Sequence, residues 1–129
     1  MRRTGKLICA TLAILVVFGL GVTLGHEGEE HEGDGAFSVE GEIIDMACYV
    51  SHEAKGPDHA SCAKRCVKGG QPMGLLADDG MVYVLYASHK DGSAFEAAKE
   101  LAGTKVQISG KLSTMSGIKG IEVQAVEAL

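Results

Sequence analysis

Three regimes of hydrophobic and polar patterning follow one another along the chain. Leu7 to Gly25 carries no charge and is preceded by Arg2, Arg3 and Lys6. His26 to Gly35 offers nothing large and apolar to bury, and its acids Glu27, Glu29, Glu30, Glu32 and Asp34 are set among glycines. From Phe37 onward apolar and polar residues alternate with the period of half-buried strands. Phe37 to Val50 is rich in β-branched and apolar residues, and the acids of Val39-Glu40-Gly41-Glu42-Ile43 alternate with positions suited to a buried face, which predicts a first strand. Leu75 and Leu76, the turn signal Asp78-Asp79-Gly80 and the run Met81 to Ala87 predict a hairpin. Ser93 with Glu96 forms a capping-box pattern that opens a short helix over Ala94 to Leu101, stopped at Gly103. Thr104 to Leu112 and Gly117 to Glu127 alternate again and predict two closing strands.

Strand, strand, strand, helix, strand, strand is the order of the OB barrel. The expected fold class is therefore mainly β: a five-stranded OB-like barrel with one short helix and a helical Cys/His insertion between strands 1 and 2. Three segments result, residues 1–25 as a signal peptide or N-terminal membrane anchor, 26–36 as an acidic His-containing linker, and 37–129 as the OB-like domain. The positive cluster ahead of an apolar core is the pattern of an export signal. Gly19 and Gly21, or Thr23 and Gly25, supply small residues for cleavage. The alternative is an uncleaved anchor, because Leu7 to Gly25 as a helix reaches roughly 28 Å, close to the thickness of a bilayer's hydrocarbon core. Either way the domain is expected outside the cytoplasm, periplasmic or extracellular, with residues 7–25 as its only link to a membrane.

Charge narrows the partners. Residues 1–25 hold three bases and no acid, so the remainder has 9 bases against 17 acids, a formal −8. From Ala36 onward the balance is 12 acids to 9 bases, so the oligonucleotide ligand common among OB folds is not expected. No phosphate-binding glycine loop and no G-x-S-x-G elbow is present. No Ser/His/Asp set stands out, so the expectation is a binding protein rather than an enzyme.

The chemistry is concentrated in Asp45 to Leu76, which holds every cysteine after residue 25. Pro57-Asp58 marks a turn and an N-cap, and His59 to Lys68 has no breaker before Gly69-Gly70, which predicts a helix. On it His59, Cys62 and Cys66 fall at i, i+3 and i+7, one face. Cys48 sits near the end of the first strand, with His52 four residues on, in a connecting loop. Three thiolates and an imidazole make a closed tetrahedral set for zinc, and soft thiolates also select Cu(I). Lys64, Arg65 and Lys68 flank the pair, and positive charge stabilises thiolate. Met46 and Met73 bracket the region as either thioether donors or core filler. In an oxidising compartment two of the cysteines would ordinarily pair, which leaves one over. Cys62 and Cys66 as a reactive thiol pair is the third reading, although C-x3-C replaces the redox C-x-x-C. His26 and His31, with the acids around them, are either loose metal donors or part of a solvated linker, and His89 reads as an exposed loop residue.

Cys48-Tyr49, His59, Cys62-Ala63, Cys66 and the Gly70 to Leu76 run together resemble a group of uncharacterised exported bacterial OB-like proteins with a C-Y, H-x-x-C-A-x-x-C, G-x-P-x-G-L-L pattern. The resemblance covers roughly residues 40 to 86 and implies that these positions form one unit, without implying an activity. The combined expectation is a small exported protein holding copper or zinc through Cys48, Cys62 and Cys66, with His59 or His52 as fourth ligand. The metal ion, and an envelope protein besides, are the expected partners. The alternatives are a disulfide-stapled OB-like module binding a ligand or protein, and a thiol redox protein.

Overall fold

The computed structural model describes residues 37–129. Residues 1–36, which hold the expected export segment, the acidic linker and His26 and His31, lie outside the described residues. The elements, in chain order, are β1 (Phe37–Asp45), α1 (Met46–His52), a 3-10 turn (Pro57–His59), α2 (Ala60–Lys68), β2 (Met73–Ala77), β3 (Val82–Ala87), α3 (Ser93–Glu100), β4 (Lys105–Met115) and β5 (Ile118–Ala128). The strands close into a barrel in the order β1-β2-β3-β5-β4, with β3 and β5 parallel and the other pairs antiparallel. This is the expected mainly β, five-stranded OB-like barrel, with α3 between β3 and β4 and the helical insertion between β1 and β2.

Closure depends on β1, whose first half pairs with β4 and whose second half pairs with β2. Gly41 lies where the two pairings overlap, opposite both Ala77 and Val106, and a Cβ there would collide with the Leu76 carbonyl. The β4–β5 hairpin turns through Ser116 and Gly117, both at positive φ (51° and 81°), the two-residue geometry whose twist matches the flanking strands. Ile43, Leu75, Val106, Ile108, Ile121 and Val123 are fully buried inside the barrel. Ala98 and Ala102, from α3 and the turn after it, and Ala63 and Val67 of α2 join the same core. Among the described residues no helix is long and apolar enough to cross a membrane.

Three local expectations are corrected. The first strand stops at Asp45 rather than Val50, because the Asp45 side chain caps a helix: its Oδ1 accepts from Ala47 N at 3.0 Å while its own backbone stays extended. Asp58 caps nothing; Pro57 starts a 3-10 turn and α2 begins at Ala60 behind His59, with no side-chain cap bond. At α3, Ser93 is already helical, and Asp91 Oδ1 takes the Ser93 N–H at 2.9 Å in place of the expected capping box. His89 is exposed, as expected.

Candidate metal centre

α2 is positioned by its apolar face. Ala63 and Val67, one turn apart, are buried in the barrel core. Cys62 and Cys66 each precede one of them and so sit about 100° round the helix, at the edge of that contact and half-buried. The helix ends at Gly69–Gly70 with Gln71 N donating to Cys66 O and Gly70 N to Val67 O, and with Gly70 at φ 100°, so its register is closed by a glycine-dependent stop. α1 has no buried residue of its own and is held at its start. Met46 N donates to Pro72 O at 3.0 Å, and the Met46 side chain lies directly over Gly74, where a Cβ would strike its sulfur.

These two seatings bring three thiols together from two helices. The Sγ atoms of Cys48, Cys62 and Cys66 all lie within 4.8 Å of one another, and the Cys62–Cys66 separation is 4.0 Å. Zn–S bonds of about 2.3 Å in a tetrahedron place sulfurs about 3.8 Å apart, so little movement would complete the set. All three are free thiols. A second triad shares Cys48: its Sγ, a carboxylate oxygen of Asp45 and a ring nitrogen of His59 lie within 4.8 Å of one another. His59 Nε2 is buried and has no hydrogen-bond partner.

His52 is placed differently from His59. It ends α1 rather than lying in a loop, is exposed, and meets His59 only edge to face, with ring centroids 6.4 Å apart. Met73 belongs to the barrel core and Met46 to the contact with Gly74, which accounts for both thioethers by packing. Of the basic residues, Arg65 Nη2 reaches within 3.8 Å of Cys62 Sγ, while Lys68 pairs with Glu100 at 2.6 Å.

Asp45, absent from the donors that the sequence pattern suggests, is the one charged or polar side chain buried among the described residues, at 1% exposure. A signal was available: an acid directly after Ile43-Ile44, in the apolar half of a strand. Burial pushes its carboxyl up, but the Cys48 thiol, the Ala47 N–H, the Cys66 thiol and the Cys48 N–H together outweigh that and hold it below the ordinary carboxylate range. The thiols are weak donors, and Oδ2 receives no full hydrogen bond. The same carboxylate acts on the thiols in the opposite sense. Accepting from Cys48 raises that thiol to about 12, helped by desolvation and by the charge of Asp45. Desolvation first, then hydrogen bonding to Asp45 and Cys62, raises Cys66.

No protein-family model, curated protein or solved structure matches the chain.

Proposed function

We propose that the chain is a small metal-binding protein that holds a transition-metal ion, zinc or copper, through Cys48, Cys62 and Cys66, with His59 Nε2 as the nitrogen donor. The observation that carries this is the convergence of three thiols from two separately seated helices beside a buried imidazole nitrogen that nothing else satisfies. A buried polar atom without a partner is costly, and coordination supplies the partner. When bound, the ion would tie α1 to α2. The thiols must lose their protons to ligate, so affinity rises with pH. Residues 7–25 would deliver this domain out of the cytoplasm, where such a site binds, buffers or passes on metal.

The test is metal content and free-thiol count on reduced protein dialysed against a competing chelator. Replacing any one of Cys48, Cys62 or Cys66 by serine should abolish stoichiometric binding, and His59→Ala should weaken it more than His52→Ala. The disulfide reading makes a different prediction, since all three sulfurs are close enough to rearrange. Residues four apart on a helix keep their Cβ atoms about 5–6 Å apart, whereas a disulfide needs about 3.5–4.5 Å. A bond would therefore run from Cys48 to α2 rather than within α2. Wild-type protein with that bond formed quantitatively and no metal would overturn the metal reading.

A further inference from the structure

Asp45 is the group that a site of three thiolates and one imidazole leaves unexplained. Its Oδ1 is committed to the cap of α1, and Oδ2 is buried with no full hydrogen bond. None of the ion pairs among the described residues involves it: these join Lys68 to Glu100, Lys99 to Glu96 and Lys105 to Asp78. Arg65 of α2 is turned to Cys62. Burying a carboxylate without a counter-charge is strongly unfavourable, so a fold that does so calls for a cation at that place.

We propose that Asp45 Oδ2 is a further donor to the ion bound by the thiolates, and that it makes the site select a divalent ion of borderline softness, such as zinc, over Cu(I). This rests on the metal-binding reading above and deepens it. A carboxylate oxygen of Asp45 already stands within 4.8 Å of Cys48 Sγ and of a His59 ring nitrogen, in a triad that shares Cys48 with the three thiols. Ligation removes the protons of the Cys48 and Cys66 thiols, and the ion then becomes the remaining partner of Oδ2. Charge decides the selectivity. Three thiolates and the Asp45 carboxylate carry four negative charges; a monovalent ion leaves three of them uncompensated and a divalent ion leaves two, and the difference is felt strongly in a half-buried site. Hardness acts in the same direction, because Cu(I) favours thiolate and thioether donors, whereas zinc accepts carboxylate, imidazole and thiolate together.

The experiment uses Asp45→Asn and Asp45→Ser in the full, reduced chain. Both keep a capping oxygen for Ala47, since Asn and Ser cap helices as well as Asp does, and thermal melts of the apo proteins verify that the fold survives. Affinities for Zn(II) and for Cu(I) are measured separately by competition with chromophoric chelators. Both variants should lose about tenfold or more in Zn(II) affinity while Cu(I) affinity holds or tightens, so that the ratio moves by at least that factor. Zinc and copper affinities moving together, or neither moving in a folded variant, would overturn the proposal and leave Asp45 as a helix cap. The Co(II) spectrum of the wild type, compared with that of Asp45→Asn, is an independent check. Weak visible bands of five-coordination support the extra donor, and strong tetrahedral bands unchanged in Asp45→Asn count against it. A wild type that binds no metal would remove the metal reading itself, a separate outcome from retained binding with unaltered selectivity.

Discussion

Asp45 and Cys48, three residues apart, shift each other in opposite directions, and the apo protein should show both effects. The Asp45 carboxyl is held low in the fold despite its burial, because the thiols and N–H groups around it favour the charged form. Its contribution to stability is therefore fully present above the unfolded carboxylate value of about 3.9, and is lost as pH falls through the lower folded value. Cys48 behaves in the converse way. Its thiol is raised to about 12, chiefly by donating to Asp45, so the folded state keeps a proton that the unfolded chain gives up near pH 8.5. That contribution is present below about 8.5 and disappears as pH climbs to about 12. Denaturant midpoints of the metal-free protein should thus fall along an alkaline limb, and Cys48→Ser should flatten it relative to wild type. Bound metal should flatten the same limb, because the thiol proton is then already gone. Equal alkaline slopes for apo wild type and Cys48→Ser would show that the thiol and Asp45 do not interact in solution.

Among the elements, α2 depends on a contact far from it in sequence. Gly103, after α3, has φ 78°, donates its N–H to Ile43 O at 2.7 Å, and a Cβ on it would run into the Cα of Ala60, the first residue of α2. Gly103→Ala should cost about 1–3 kcal/mol from the left-handed backbone alone, with more from the collision, and should push the start of α2 and His59 away from Cys48. A lower thermal midpoint with weaker metal binding is expected; a loss of stability with unchanged affinity would mean that α2 absorbs the collision without moving. Gly103 also illustrates what was legible. Its role as a helix stop follows from local pattern, as do the alternating strands, their order and the helix that carries Cys62 and Cys66, because these depend on neighbours within about two turns. Its role as the floor under α2 does not, since Ala60 and Gly103 meet only through the barrel. The strand-to-helix switch at Asp45 failed for a related reason. Val50 and its neighbours suit a strand locally, and the Asp45 carboxylate that caps α1 is stabilised in part by the Cys66 thiol brought from α2. His52 sits at the end of α1 for the same reason, and His59, in the turn just before α2, comes within 4.8 Å of Cys48 and Asp45.

On the scale of the whole molecule, the barrel and the insertion are held by different forces. The barrel closes through continuous backbone pairing of β1 with β2 and β4 and around a core without any thiol in it. The insertion contributes only Ala63 and Val67 to that core, and α1 buries no residue. Its other ties to the barrel include the Met46 side chain over Gly74, the close approach of Ala60 to Gly103, the Gly56 N–H to Glu42 Oε1 at 2.6 Å, and the Lys68–Glu100 pair. A metal ion held by Cys48 from α1, by Cys62 and Cys66 from α2 and by His59 from the turn before it would add its largest restraint where the fold has fewest. Free metal at a hundred times its Kd stabilises by about 2.7 kcal/mol, which for a domain of this size raises the thermal midpoint by roughly 10–20 °C. The distribution of that gain is the sharper prediction. Removing the metal should open α1 and the stretch leading into α2 to hydrogen exchange by local unfolding, while the amides of β1, β4 and β5 keep the protection of the global transition. Exchange mapped on zinc-loaded and chelator-treated protein checks this. If protection falls evenly across strands and helices, the ion is part of one cooperative unit with the barrel; if it falls nowhere in α1, Cys48 is not among its ligands.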